Sequence, residues 1–263
     1  MIRSGAPLKL AKTPLVYVIG QVKVSAVMAI ETFIPTIQEK LRHLGYPRFN
    51  RGKLQEVRLA PEGPAFGSAD RFEFQDRQGQ AGIVLAPDFI SFHTSTYDTF
   101  EVFQSAMRTA LDIVHSVVDC KLVERVGLRY VDFIRVAKNE HIREYVKPGL
   151  LGLDPADVGA TDALWRFEFV GATEQGKLAV RFSRAQPPIA PPDLFPITLK
   201  HDMTLAEGES AFFLDFDHFA EDAEDFSTTA LLDKFGRLHY NLDKAFKAAV
   251  TDTALARWEA KTL

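Results

Sequence analysis

From Phe100 onward the apolar residues Phe103, Met107, Ala110, Leu111, Val114, Val117 and Val118 follow at steps of three, four or one, a continuous stripe at helical period. Glu101, Gln104, Arg108, Asp112 and His115 fall largely on the other side. Ser95, followed three residues later by Asp98, is a start signal, because its side chain and the acidic first turn satisfy free backbone N–H groups and suit the positive end of the dipole. The pattern predicts one long helix over about 96–118. Strands bracket it: FISFHT before, and KLVERVGLRYVDFIRV after.

The rest of the chain alternates between the two periods. LVYVIGQVKVSA after Pro14 predicts a strand, and Ile30, Phe33, Ile34, Ile37, Leu41 and Leu44 recur at helical spacing up to a stop at Gly45 and Pro47. Pro35 lies early in that helix and moves its expected start later. Residues 53–60 alternate as a half-exposed strand, and three short strands follow over about 70–76, 80–86 and 89–94, joined by turns at Gln78-Gly79 and Pro87-Asp88. Between 137 and 162 the pattern weakens to a short helix, NEHIREYV, and a stretch rich in Pro and Gly that would join two halves.

The second part then echoes the first. Arg71-Phe72-Glu73-Phe74 returns 95 residues later as Arg166-Phe167-Glu168-Phe169, each followed by a Gln-Gly turn and another apolar strand. PITLKHDM and SAFFLDFDHF read as strands, and STTALLDKFGRLHYNLDKAFKAAV is a second long helix with Leu231, Leu232, Phe235, Leu238, Leu242, Phe246 and Ala249 on one side. Hairpin-ordered strands with interspersed helices predict an α+β fold: an antiparallel or mixed sheet with two long amphipathic helices side by side on one face. The expected unit is a single domain over 1–263; the echo is either a chance four-residue match or the mark of an internal two-half pseudo-repeat over 14–136 and 163–260.

Composition changes this picture little. Hydrophobic residues make up 46% of the chain, with 21 Phe, enough for a substantial core. A net charge of −4 and a pI near 6.0 provide no general attraction for nucleic acid or anionic lipid, so neither is an expected partner. The lone Cys120 forms no internal disulfide and reads as a buried, inert thiol at a helix end. With no apolar run near the roughly 20 residues that span a bilayer, and an opening stretch without a secretory apolar region, the expectation is a soluble cytoplasmic protein.

No glycine-rich phosphate loop, paired-cysteine site, HExxH or nucleophile elbow occurs. Three clusters carry candidate chemistry. His201, with Asp215 and Asp217 two apart on one strand face, would hold a divalent metal if the segments pair; otherwise they form a solvated outer face or a protein-binding surface. His93 and the hydroxyls of residues 94–97 would meet an anion at a helix mouth, or would simply cap the helix. Arg125 and Arg129 share one face of the strand and Glu124, Tyr130 and Asp132 the other; Arg129 suits a carboxylate or phosphate, and ion pairing within the sheet is the alternative. His115, His141 and His239 read as packed or solvent-facing, Trp165 and Trp258 as core or rim anchors, and AQPPIAPPDLFP as a stiff loop or a docking segment.

The opening LAKTPLVYVIGQV, the strand ERVGLRYVDFI and the ending LHYNLDKAFKAAVTDTALARW together resemble a sporadically distributed family of uncharacterised bacterial proteins of about this length. The matching positions are Arg125, Gly127, Leu128, Arg129, Tyr130, Val131 and Asp132, then Leu238, His239, Phe246, Thr251 and Trp258. The chain departs at Leu15-Val16-Tyr17, where a Glu would be expected. The resemblance implies a single bacterial domain with an accessory role, and no activity or site residues. The leading expectation is a non-enzymatic binding or adaptor protein with a protein partner or a homodimer and no cofactor. The alternatives are a metal-dependent hydrolase or phosphodiesterase using a divalent metal at His201, Asp215 and Asp217, and a small-anion sensor at Arg129 or near His93.

Overall fold

The computed structural model describes residues 8–60, 63–153, 155–160, 164, 166–185 and 197–262. In chain order they form β1 (Leu8–Leu10), β2 (Leu15–Val24), α1 (Ile30–His43), β3 (Arg48–Ala60), β4 (Gly63–Gln75), β5 (Ala81–Ala86), β6 (Phe89–Thr94), α2 (Phe100–Val118) and β7 (Leu122–Val136). Three single 3-10 turns follow, and then β8 (Arg166–Thr173), β9 (Gly176–Arg184), β10 (Ser210–Ala220), β11 (Glu224–Asp225), α3 (Thr228–Ala249), α4 (Asp252–Arg257) and β12 (Ala260–Thr262).

One open sheet runs in the order β3-β4-β5-β6-β2-β7-β10-β9-β8, with β11 added to β7 and every pairing antiparallel. The fold is α+β. Outward from the middle, the strands read β2, β6, β5, β4 on one side and β7, β10, β9, β8 on the other. One face carries the helices: α1 over β4, α2 over β6, and α3 over β7 and β10, with α2 packed between its neighbours. Alternate residues feed that core, among them Phe72, Phe74, Ile83, Leu128, Phe216 and Phe235, each at most 2% exposed. Burying side chains of this size stabilises by roughly 2 kcal/mol apiece. Gly20 lets the helices close in, because a Cβ there would stand 3.1 Å from Phe103 and 3.2 Å from Phe235.

Several expectations need correction. The central helix begins at Phe100, and its N-cap is Thr99, whose hydroxyl accepts from the Val102 N–H. Ser95 instead donates to the Lys200 carbonyl at 2.5 Å. The helix-bearing face holds three helices, since α1 lies beside the two long ones despite Pro35. The stretch read as NEHIREYV is only a 3-10 turn capped by His141. The described part of PITLKHDM, from 197 on, is not a strand; it crosses the other face of the sheet, where Leu199 and Met203 pack with Tyr17, Val131, Phe133 and Phe213. The pairing of β1 with β12 was not foreseen: three residues each is too short for a periodic signal. Trp165 and most of the Pro-rich segment lie outside the described residues; Trp258 is buried, as is Cys120, whose thiol is pushed up by burial. Among the described residues, no helix is long and apolar enough to cross a membrane.

Candidate functional site

The two faces of the sheet treat polar side chains differently. On the face away from the helices, charges are matched across strands. Arg129 Nε and Nη2 donate to the two oxygens of Asp215 at 2.8 and 2.7 Å, Arg181 Nη1 reaches Asp215 at 3.5 Å, and Arg181 Nε donates to Glu168 at 2.9 Å. Register explains the ladder: Arg129 stands opposite Asp217, one diagonal from Asp215, and Asp215 stands opposite Arg181, which is opposite Glu168. Arg125 lies over the Phe219 ring at 4.3 Å and within 4.0 Å of Asp217. Burial pushes the Asp217 carboxyl up, against the pull of Arg125 and Arg129.

Farther along the same face, Glu73 on β4 and His93 on β6 meet across β5. They do so over Gly82, where a Cβ would stand 2.8 Å from His93 Nε2. His93 Nε2 lies 3.1 Å from Glu73 Oε1, out of line for a good hydrogen bond, and Nδ1 lies 2.8 Å from the Tyr17 hydroxyl. Burial raises the Glu73 carboxyl, but contacts from His93, Thr198 and Gln75 outweigh it and hold it at about 2. Burial pushes His93 down, leaving a neutral ring at pH 7. Because Thr198 donates to Glu73 and Gln75 to the Thr198 carbonyl, this buried network pins the stretch from 197 onward to the sheet.

The helix face holds a cavity of about 140 Å³. Its floor is Tyr130 and Asp132 of β7, Phe216 of β10 and Leu15 of β2; one wall is His239, Leu242, Asp243 and Phe246 of α3. Tyr97 and Asp98, just before α2, form the other wall, and the strap of Lys9, Leu10 and Thr13 passes over it. That strap is tied by the β1–β12 pairing, by the Lys12 N–H to the Trp258 carbonyl and by Lys9 to Asp98 at 2.5 Å. A bulge sits at the floor, for β2 shifts register between Leu15 and Tyr17 opposite Asp132 and Val131. Bulges re-aim side chains and interrupt pairing.

Asp132 is the unusual member. It is 3% exposed, yet its side chain makes no hydrogen bond to any described residue. Burial, with a smaller push from Asp215 across the sheet, raises its carboxyl to about 8. Beside it the Tyr130 hydroxyl lies 3.0 Å from His239 Nδ1 and 3.4 Å from the Tyr97 hydroxyl, and His239 stacks on Phe100 at 4.1 Å. Burial pushes His239 down and both tyrosines up, Tyr97 to about 12. At pH 7 the cavity therefore offers a neutral carboxyl, two phenols and a neutral imidazole, all able to donate or accept.

The structure separates the residues that the sequence grouped. Arg125 and Arg129 share the ladder; His93 lies on the same face in the Glu73 network; Tyr130 points to the opposite face, into the cavity. His201 is not brought to Asp215 and Asp217: its Nδ1 lies 2.9 Å from the Leu199 carbonyl, because its segment does not pair as a strand beside β10. Among the described residues no group of three or more His, Cys, Asp or Glu side chains is arranged for a metal ion. Asp132 belonged to the third cluster by strand parity, whereas His239 carried no signal of its own: its partner Tyr130 is 109 residues away. No family model matches the chain, and no curated protein is similar to it.

Proposed function

We propose that this is a non-enzymatic binding protein whose ligand, a small organic molecule, occupies the cavity between β7, β10 and α3. The observation that supports it is Asp132, a buried carboxyl with no hydrogen-bond partner, on the floor of a space otherwise walled by aromatic and aliphatic side chains. A carboxyl this buried keeps little of its hydration, and a ligand that hydrogen-bonds to it recovers part of that loss. About 140 Å³ is similar to cavities that take a benzene-sized molecule. The hydrolase alternative needs Asp215 to take a cation, whereas Arg129 engages both of its oxygens. A thermal-shift screen of small amines, alcohols and carboxylates tests the reading. At least one class should raise the midpoint with concentration, and Leu242→Trp, which fills the space, should abolish that rise; no saturable shift from any class would defeat it.

A second reading, an adaptor with a protein partner or a homodimer, is favoured by the other end of the sheet. We read β2–α2 and β7–α3 as equivalent half-units, in keeping with the shared strand order and the Arg-Phe-Glu-Phe echo on β4 and β8. Where α1 covers β4 in the first half, β8 and β9 border an apolar groove lined by Leu150, Phe167, Phe169, Leu178 and Val180. Phe169 is 50% exposed there, on an edge strand. Light scattering over a concentration series should show self-association that Phe169→Asp weakens; a monomer throughout would leave only a hetero-partner for that groove.

A further inference from the structure

The chemistry of the same cavity narrows its ligand, and this step rests on the small-molecule reading above. Each cation at the cavity already has a carboxylate: Lys9 lies 2.5 Å from Asp98 at the mouth, and Lys247 lies 2.5 Å from Asp243 behind the α3 wall. Asp132 is the acid left over. The surroundings are otherwise acidic, since Glu101, Asp98 and Asp243 all raise the Tyr97 phenol, and Asp243 and Glu101 act on His239 in the same sense. A ligand carboxylate would find both lysines already engaged by carboxylates.

The walls suit a cation for a second reason. Tyr97 and Tyr130 meet with ring centres 5.5 Å apart and planes at 70°, and Phe216 and Phe246 meet at 6.1 Å and 66°. All four residues line the one cavity, and aromatic rings attract an ammonium group through their negative faces. The register shift between Leu15 and Tyr17 interrupts the pairing of β2 opposite Asp132. We infer that the cavity accepts a small organic ammonium ion, with Asp132 as its counter-ion and Tyr97, Tyr130, Phe216 and Phe246 as its aromatic cage. On entry the ammonium favours the ionised carboxylate, so Asp132 gives up its proton to solvent as the cation binds, and no other bond is made or broken.

Titration calorimetry with four probes of nearly one shape tests this: choline, neohexylamine, the neutral neohexyl alcohol and the anionic tert-butylacetate. The expected result is saturable binding of the two cations, about tenfold or more tighter than the alcohol, with the anion weakest. Asp132→Asn, checked for native folding by its far-UV spectrum, should weaken the cations by about tenfold and leave the alcohol unchanged. If the alcohol or tert-butylacetate binds as tightly as the cations, or if Asp132→Asn binds choline undiminished, the ammonium assignment is overturned while the small-molecule reading stands. If none of the four binds, both are overturned for ligands of this size.

Discussion

Asp132 and Asp215 sit on neighbouring strands, one position out of register, and each is 3% exposed. They differ only in the face they point to. Asp215 faces the ladder and receives two hydrogen bonds from Arg129, with Arg181 close by. Asp132 faces the helices, where its neighbours are phenols, an imidazole and aromatic carbons, and it keeps its proton up to about pH 8. Burial alone therefore does not decide a carboxylate's state; the partner supplied by the adjacent strand does. One face pairs its buried charges across strands, and the other holds a buried carboxyl with no charge partner among the described residues.

The largest way to break the comparison is to remove the partner on the ladder side. Arg129→Ala leaves Asp215 buried with only the longer Arg181 contact, and urea unfolding should show a loss of roughly 3 to 5 kcal/mol. Asp132→Asn should act in the opposite sense. An unfolded aspartate releases its proton near about pH 4, whereas native Asp132 holds it to about 8. Across that window the native state binds more protons, so this group's contribution to stability falls as pH rises from about 4 to about 8 and is level beyond. Asp132→Asn should flatten that fall and be more stable than the parent at pH 9, on the order of 3 kcal/mol, while matching it at pH 4. The other charged or titratable groups at the cavity, Lys9, Asp98, Tyr97, Tyr130, His239 and Asp243, remain in both proteins, so the difference between the two pH profiles isolates Asp132.

Smaller changes sharpen the contrast. Tyr17→Phe removes the hydroxyl that meets His93 Nδ1 and should cost about 1 to 2 kcal/mol, because the buried nitrogen is left without a partner. Tyr130→Phe, on the cavity side, should cost less, since His239 is only half-buried and gains access to water. The smallest expected effect is Thr99→Ala, about 1 kcal/mol from the lost cap of α2, where Ser95→Ala should leave the helix itself unchanged.

Periodicity was enough to locate what depends on neighbours in sequence. The three- and four-residue stripes of α1, α2 and α3 and the two-residue alternation of β7 and β10 decide which side chains face inward, so the fold class and the shared face of Arg125 and Arg129 were legible. So was the opposite placement of Tyr130 and Asp132. Pairing across distance was not. Arg129 and Asp215 are 86 residues apart, Tyr130 and His239 are 109 apart, and the strap that roofs the cavity is held by a strand at the far end of the chain. Nothing local distinguishes an arginine waiting for an anion from one already engaged by the next strand, or an aspartate in a ladder from one left without a partner, because both states depend on which strand lies alongside. His201 makes the same point in reverse: an apolar-polar alternation around it promised a strand beside Asp215, and the tertiary structure instead lays that segment across the sheet, where Leu199 and Met203 find a better burial. Sequence alone determined most of the elements and their faces; the register between them decided which charges are matched and which carboxyl is left without a partner, since a hydrogen bond is short and directional and its partner is chosen by the fold.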